Sequence, residues 1–383
     1  VLSSSCLFLG SYLDESIARY IYSDLPGAKR FHHILSGGYG ISTGLPSDNH
    51  FLIEQGYAPW WTYEHLKIVL FRPISLASHF FDVRFFLDNP VVMRLQSLAW
   101  VGFLVLALTG MYRRSLGPLV GGLAALLFAI DHTHGFEVGY SPNRHTLVAA
   151  TFGVLCLDQH LRFRDQRKTI AAIAACVFYL LALLSSEAAI AIGAYLFAYA
   201  ALAERGPLLP RALSFAPYLA ITGIWRAYYN LAGYGSVGSG LYLDPASGRF
   251  FREFLERGPV LLQGLFFAPP AELYSVASPR YAAAMLVSAL LIATALVAAF
   301  APVLSRDRKA RFWAAGLLLS LIPAASTVPN NRQLLFSSIG AMALLSQTWH
   351  LHAVKLQGVN TSGALAWSAK LGAIFLFVHL IIS

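Results

Sequence analysis

The chain has 383 residues, of which 57% are hydrophobic and only 12% charged, with a mean hydropathy of +0.58. A soluble domain is about 45–50% apolar and about 25% charged, so this composition excludes an ordinary water-soluble globule and points to a polytopic membrane protein. The net charge of +9 is spread between apolar runs rather than gathered in one basic patch, which argues against a nucleic-acid partner.

The opening apolar stretch ends at Leu13. It falls short of the roughly 20 residues that span a bilayer, so a first span whose beginning lies before Val1 is expected. Asp14 and Glu15 follow directly, in SYLDESIARY. An adjacent acid pair at a membrane boundary can take a proton from an incoming acceptor hydroxyl or amine, and it can equally be a hydrated helix end.

The segment 14–90 is too long for a mere connector and carries Tyr57, Trp60, Trp61 and Tyr63, so an ordered functional loop is expected. Within it, FRPISLASHFFD places Arg72 immediately before a proline. A fixed, permanently charged guanidinium suits phosphate oxygens at a membrane surface, with interfacial snorkelling as the plainer alternative.

Apolar runs then come in series, at 91–112, 116–130, 145–161, 169–185, 187–203, 211–231, 281–304, 311–328, 333–350 and 364–383. With the truncated first one they predict about eleven spans, the shorter runs completed by tilt and flanking aromatics. Lys and Arg occupy every second connection: Arg113 and Arg114, then Arg162 to Lys168, Arg205 and Arg211, Arg306 to Arg311, and Lys355. The positive-inside rule places those connections in the cytoplasm, so that 14–90, 131–144, 185–186, 232–280 and 329–332 face outside.

Three outer segments carry further polar candidates. The loop DHTHGFEVGYSPNRH at 131–145 packs Asp131, His132, His134, Glu137, Asn143 and Arg144 together. D-H-T-H lacks the i, i+4 histidine spacing of common zinc helices, so no metal site is expected from it. Glu187 follows Ser185 and Ser186 where two spans meet, and reads as a residue that caps or orients a helix. In the loop 232–280, FFREFLERGPVLLQGLFF has the mixed pattern of an interfacial helix. Arg332, beside Asn330 and Asn331, opens a late span, so Arg72, Arg144 and Arg332 are three outward cations available to one phosphate. Arg226, inside an apolar run, needs a partner that the sequence does not name. Cys6, Cys156 and Cys176 all lie in apolar stretches, and their odd number gives no disulfide framework.

Taken in order, these segments resemble integral-membrane glycosyltransferases of the GT-C type, especially the O-mannosyltransferase-like proteins with tetratricopeptide repeats and their bacterial relatives. FRPISLASHFFDVRFFLDNPVVMRLQSLAW is similar to the family's arginine-proline segment followed by an asparagine-proline pair, here Arg72, Pro73, Asn89 and Pro90. AALLFAIDHTHGFEVGYSPNRHTLVAATF looks like the second outer loop, with His134 and Arg144 at the family's histidine and arginine. LLSSEAAIAIGAYLFAYAAL and PNNRQLLFSSIGAMALLS match the segments bearing Glu187 and Arg332. Thr146 and Asn331 stand where relatives often carry acids, and Glu137 is one place out of register.

The resemblance implies an all-α transmembrane bundle, residues 1–383 forming one domain, in a bacterial inner membrane with its long loops in the periplasm. It implies an inverting glycosyltransferase: a polyprenyl-phosphate sugar as donor, Asp14 as base on the acceptor with Glu15 beside it, and Arg72, Arg144 and Arg332 on the lipid phosphate. His134, Asn143 and Glu187 support these groups; no metal ligand is assigned, and a divalent ion is the less favoured alternative. Membrane lipid is a partner, as are the acceptor and other subunits of a membrane complex. A non-catalytic structural subunit of such a complex, or a lipid or solute carrier, is the alternative; scarce mid-span polar residues count against a carrier.

Overall fold

A computed structural model describes residues 38–86, 89–244, 247–356 and 363–382. Asp14 and Glu15 lie outside them.

The described chain is all-α apart from one small sheet. β1 (Gly38–Thr43), α1 (Pro46–Glu54), β2 (Lys67–Phe71) and α2 (Pro73–Phe86) build the first long loop. Then come α3 (Pro90–Leu116), α4 (Pro118–Ala129), a 3₁₀ turn at His132–His134, α5 (Gly135–Gly139), a second at Ser141–Asn143, and α6 (Arg144–Gln166). α7 (Thr169–Leu183) is followed by a turn at Glu187–Ala189, α8 (Ile190–Ala198), a π turn at Tyr199–Ala203, and α9 (Leu208–Leu231). β3 (Gly235–Val237), α10 (Phe250–Phe266) and α11 (Glu272–Val276) form the second long loop, and α12 (Pro279–Arg306), α13 (Arg308–Ala325), a turn at Asn331–Gln333, α14 (Leu335–Leu356) and α15 (Gly363–Ile382) complete the order.

Local chemistry sets several boundaries. Asn89 and Pro90 start α3: the Asn89 side chain accepts from Val92 N–H at 3.3 Å while Pro90, which has no N–H to leave unpaired, occupies the first turn. Gly117 then reverses the chain between α3 and α4 at φ +87°, a conformation that a side chain would strain. Asp307 caps α13 by accepting from Lys309 N–H at 2.9 Å.

The number of spans differs from the expectation of about eleven. Among the described residues only Pro90–Leu116 and Pro279–Arg306 are single helices long and apolar enough to cross a membrane. A third is added if the pair Pro118–Ala129 and His132–Gly139, bent by 44°, is one broken span. The reason is that an apolar run in sequence does not measure a helix. The run 169–185 yields the 15 residues of Thr169–Leu183, about 22 Å long against a hydrocarbon core of about 30 Å. α6 has the length, yet carries Arg144, Asp158, Arg162, Arg164 and Asp165.

α6 packs along α7, α3 along α4 and α6, and α8 along α13, which in turn packs on α14. Tyr112 of α3 donates to the Ile339 carbonyl of α14, so the core is joined by hydrogen bonds as well as by apolar contact. The two long loops meet: β1 pairs antiparallel with β2, and β2 with β3 in the register Lys67 opposite Val237 and Val69 opposite Gly235. The basic connections gather elsewhere. Lys309 Nζ donates to the Ser115 carbonyl at 2.6 Å, Arg308 Nε to that of Leu202 at 3.0 Å, and Arg164 pairs with Glu204.

Candidate functional site

β2 ends at Phe71, which packs among Tyr228 and Tyr234, and this anchors Arg72 at the step from sheet to helix. Pro73 then opens α2, whose first turn docks on the turn after α7: Ile74 N–H donates to the Leu184 carbonyl at 3.2 Å and the Ser75 hydroxyl to that of Ser185 at 2.8 Å. The docking brings Arg72 Nε within 2.6 Å of Glu187 Oε2, while Tyr229 O–H donates to Glu187 Oε1 at 3.3 Å. Glu187 therefore orients the Arg72 guanidinium, while the helix-capping role at this turn falls to Ser186, whose side chain accepts from Ala188 N–H at 3.3 Å.

Arg144 is placed differently. Its side chain is completely buried: Nε donates to Ser97 Oγ at 3.0 Å, one terminal nitrogen to Ser78, Asp82 and Gln96, and the other to the Met93 carbonyl. A guanidinium has five N–H donors, and acceptors from α2 and α3 surround all three of its nitrogens. In this arrangement Arg144 pins α2 and α3 to the start of α6. Asn143, buried just before it, ends the Ser141–Asn143 turn.

Arg332 is the contrast. It has no ion pair among the described residues, its Nε is buried without a hydrogen-bond partner, and its guanidinium stands 5.8 Å from the Phe136 ring. The Asn330 side chain accepts from Arg332 N–H at 3.0 Å and fixes its turn. Asn331 holds the other side by accepting from Ala271 N–H at 3.1 Å through a carbonyl oxygen that leaves no room for a Cβ on Gly264. Glu137 is fully buried with both carboxylate oxygens unpartnered among the described residues.

The three arginines share neighbours. Desolvation first, then Arg144 and Arg72, push His79 down to about 3. Desolvation, then Arg72 and at longer range His79 and Arg332, hold His145 well below its ordinary value. Arg72 thus acts on both imidazoles, Arg144 on His79 and Arg332 on His145. His134 lies apart from that pair, its ring 4.4 Å from Phe128 and its Nε2 3.7 Å from Asp131 Oδ2. Arg226 rests 5.5 Å from the Tyr229 ring.

The supporting residues His79, Asp82, Gln96, Ser97 and Tyr229 are absent from the sequence-derived set. One signal was available: Ser75, Ser78, His79 and Asp82 recur at helical spacing and form a polar stripe on α2, whose remaining residues are apolar except Arg84. A cavity of about 460 Å³ lies away from these groups, among the basic connections, lined in part by Arg114, Arg306 and Lys309. No family model matches the chain, and no curated protein matches it.

Proposed function

We propose that the chain is a membrane glycosyltransferase of GT-C type, which transfers a sugar from a polyprenyl-phosphate-linked donor to an acceptor on the non-cytosolic face, in bacteria the periplasmic side of the inner membrane. Arg332 carries the reading. A buried guanidinium nitrogen without an acceptor costs about 1–3 kcal/mol; Arg332 Nε has none among the described residues, and a phosphate oxygen arriving from the membrane supplies one. Arg72, held in orientation by Glu187, adds a second positive charge that acts on the same imidazole, His145.

In the proposed reaction Asp14 takes the acceptor proton, the acceptor atom bonds to the anomeric carbon, and the bond from that carbon to the phosphate oxygen breaks with inversion. The electron pair stays on the phosphate. Its charge grows as the bond breaks, so fixed guanidinium groups stabilise the transition state more than the ground state. Arg144 acts one step removed, by fixing α2, which begins next to Arg72.

The test uses the full chain in nanodiscs with undecaprenyl phosphate as probe. Arg332→Ala is expected to weaken binding at least about tenfold, with Arg332→Lys between it and the wild type, while the exposed control Arg280→Ala binds normally. In vesicles supplied with polyprenyl-phosphate sugar, the Asp14→Asn, Glu15→Gln double variant is expected to lose sugar transfer and keep lipid binding. Undiminished transfer by the double variant, or unchanged binding by Arg332→Ala, would refute the assignment.

A further inference from the structure

Outside the arginine group, a second set of side chains converges from opposite ends of the described chain. Asp131 and His132 sit at the turn after α4, and His379 comes from the last helix, α15. One candidate ligand atom from each lies within 4.8 Å of the others. Asp131 Oδ1 is 3.6 Å from His132 Nδ1, and the two imidazole rings are 6.4 Å apart. We propose that these three residues form a site for a divalent transition-metal ion of the zinc class, which clamps α15 to the turn after α4.

The orientation of His379 points to a ligand. Its Nε2 lies 3.2 Å from the Leu127 carbonyl oxygen, which can only accept, so the ring proton sits on Nε2 and the Nδ1 lone pair is left. Metal-binding histidines are set in this way, the second nitrogen donating to a carbonyl that fixes tautomer and ring. Nδ1 is buried with no hydrogen-bond partner among the described residues, and the residue is only 1% exposed. A histidine turned inward from a helix as apolar as Trp367–Ile381 needs a reason, and a metal ion supplies one.

Asp131 is also held in place. Its Oδ1 accepts from Thr133 N–H at 3.0 Å, its side chain is shut off from solvent, and Oδ2 has no hydrogen-bond partner among the described residues. Two imidazoles and a carboxylate, with no thiol, make a borderline donor set suited to Zn²⁺ at about 2.0–2.2 Å per ligand. Ligand atoms in a tetrahedral site stand about 3.3–3.6 Å apart, and Asp131 Oδ1 and His132 Nδ1 are already at 3.6 Å. His132 also lies 3.5 Å from the Asn331 amide, next to Arg332, so the clamp braces the turn that carries that arginine.

The experiment uses the full chain in detergent, treated with chelator, dialysed and titrated with Zn²⁺. Metal analysis is expected to give one zinc per chain, and zinc is expected to raise the unfolding temperature. Co²⁺ is expected to give the visible bands of a tetrahedral nitrogen and oxygen site without thiolate charge transfer. His379→Gln and His132→Gln are each expected to weaken zinc at least about a hundredfold, while His350→Gln at the far end leaves it unchanged. A folded wild-type chain that takes up no zinc, a His379→Gln variant that binds as tightly as the wild type, or a cobalt spectrum showing sulfur ligation would overturn the proposal. The cobalt spectrum is read on the wild type, so it decides even if a variant does not fold.

Discussion

Arg144 and Arg332 are chemically the same side chain in opposite states. One is saturated by acceptors on two helices; the other keeps a buried nitrogen without a protein partner among the described residues. Arg72 is oriented by Glu187, whose carboxylate binds one edge of its guanidinium. Removing that carboxylate takes an ionic partner from a largely buried cation, so Glu187→Ala is expected to lower stability by about 2 kcal/mol and Glu187→Gln by less, read as denaturant midpoints in micelles. His79 gives a pH test. It titrates near 6.5 in the unfolded chain and at about 3 in the folded one, so between these values the unfolded state holds the extra proton. Its contribution to stability is complete above pH 6.5 and is lost as pH falls toward 3, by about 1.4 kcal/mol per unit inside the window. A His79→Gln variant is expected to unfold with a flatter dependence between pH 6.5 and 4, and a slope parallel to the wild type would remove His79 from the account.

At the scale of elements, α14 depends on a residue outside it. Tyr195 of α8 donates to the Phe336 carbonyl at 2.8 Å and accepts from Gly340 N–H at 2.9 Å, which inserts its hydroxyl into the helix's own hydrogen-bonding row. Gly340 and Gly316 make room for it: a Cβ on Gly316 would stand 2.2 Å from the Tyr195 ring. Tyr195→Phe is expected to lower the unfolding free energy by about 1–3 kcal/mol and Gly316→Ala by a similar amount through overpacking, both measured by thermal unfolding in micelles. The sequence located these helices as apolar runs and missed their ends, because hydropathy reports composition while ends are set by caps such as Asn89 and Asp307 and breaks such as the π turn at Tyr199–Ala203. The FFREFLERGPVLLQGLFF pattern was legible in the same way: α10 forms there, with Val260, Leu261 and Leu265 buried while Phe251 and Leu255 stay exposed.

For the whole molecule, the sheet is the feature that periodicity did not show. β3 comes from the second long loop and completes a sheet begun in the first. A second tie joins Tyr242 to Thr327, and Arg257 donates to the carbonyls of Ala325 and Thr327 at 3.0 and 2.9 Å, closing the end of α13. In vesicles, a cysteine introduced by Trp60→Cys and one introduced by Lys309→Cys in a background without native cysteines are expected to react with a membrane-impermeant maleimide from opposite sides. Labelling of both from the same side would overturn the assigned sidedness.

Composition by itself determined that the chain is helical and apolar beyond what a water-soluble domain carries, because low charge and long apolar runs are additive properties of residues. It also singled out Arg72, Arg144, Glu187 and Arg332, since polar groups in such a background are costly and stand out. Only the tertiary structure decided that two or three described helices have the length and composition to cross a membrane, that Arg144 is bound within the protein while Arg332 keeps a nitrogen unpartnered among the described residues, and that His379 faces Asp131. Those outcomes depend on which distant side chains meet and on where each helix is capped, and pairings between residues far apart along a chain leave no mark in local pattern.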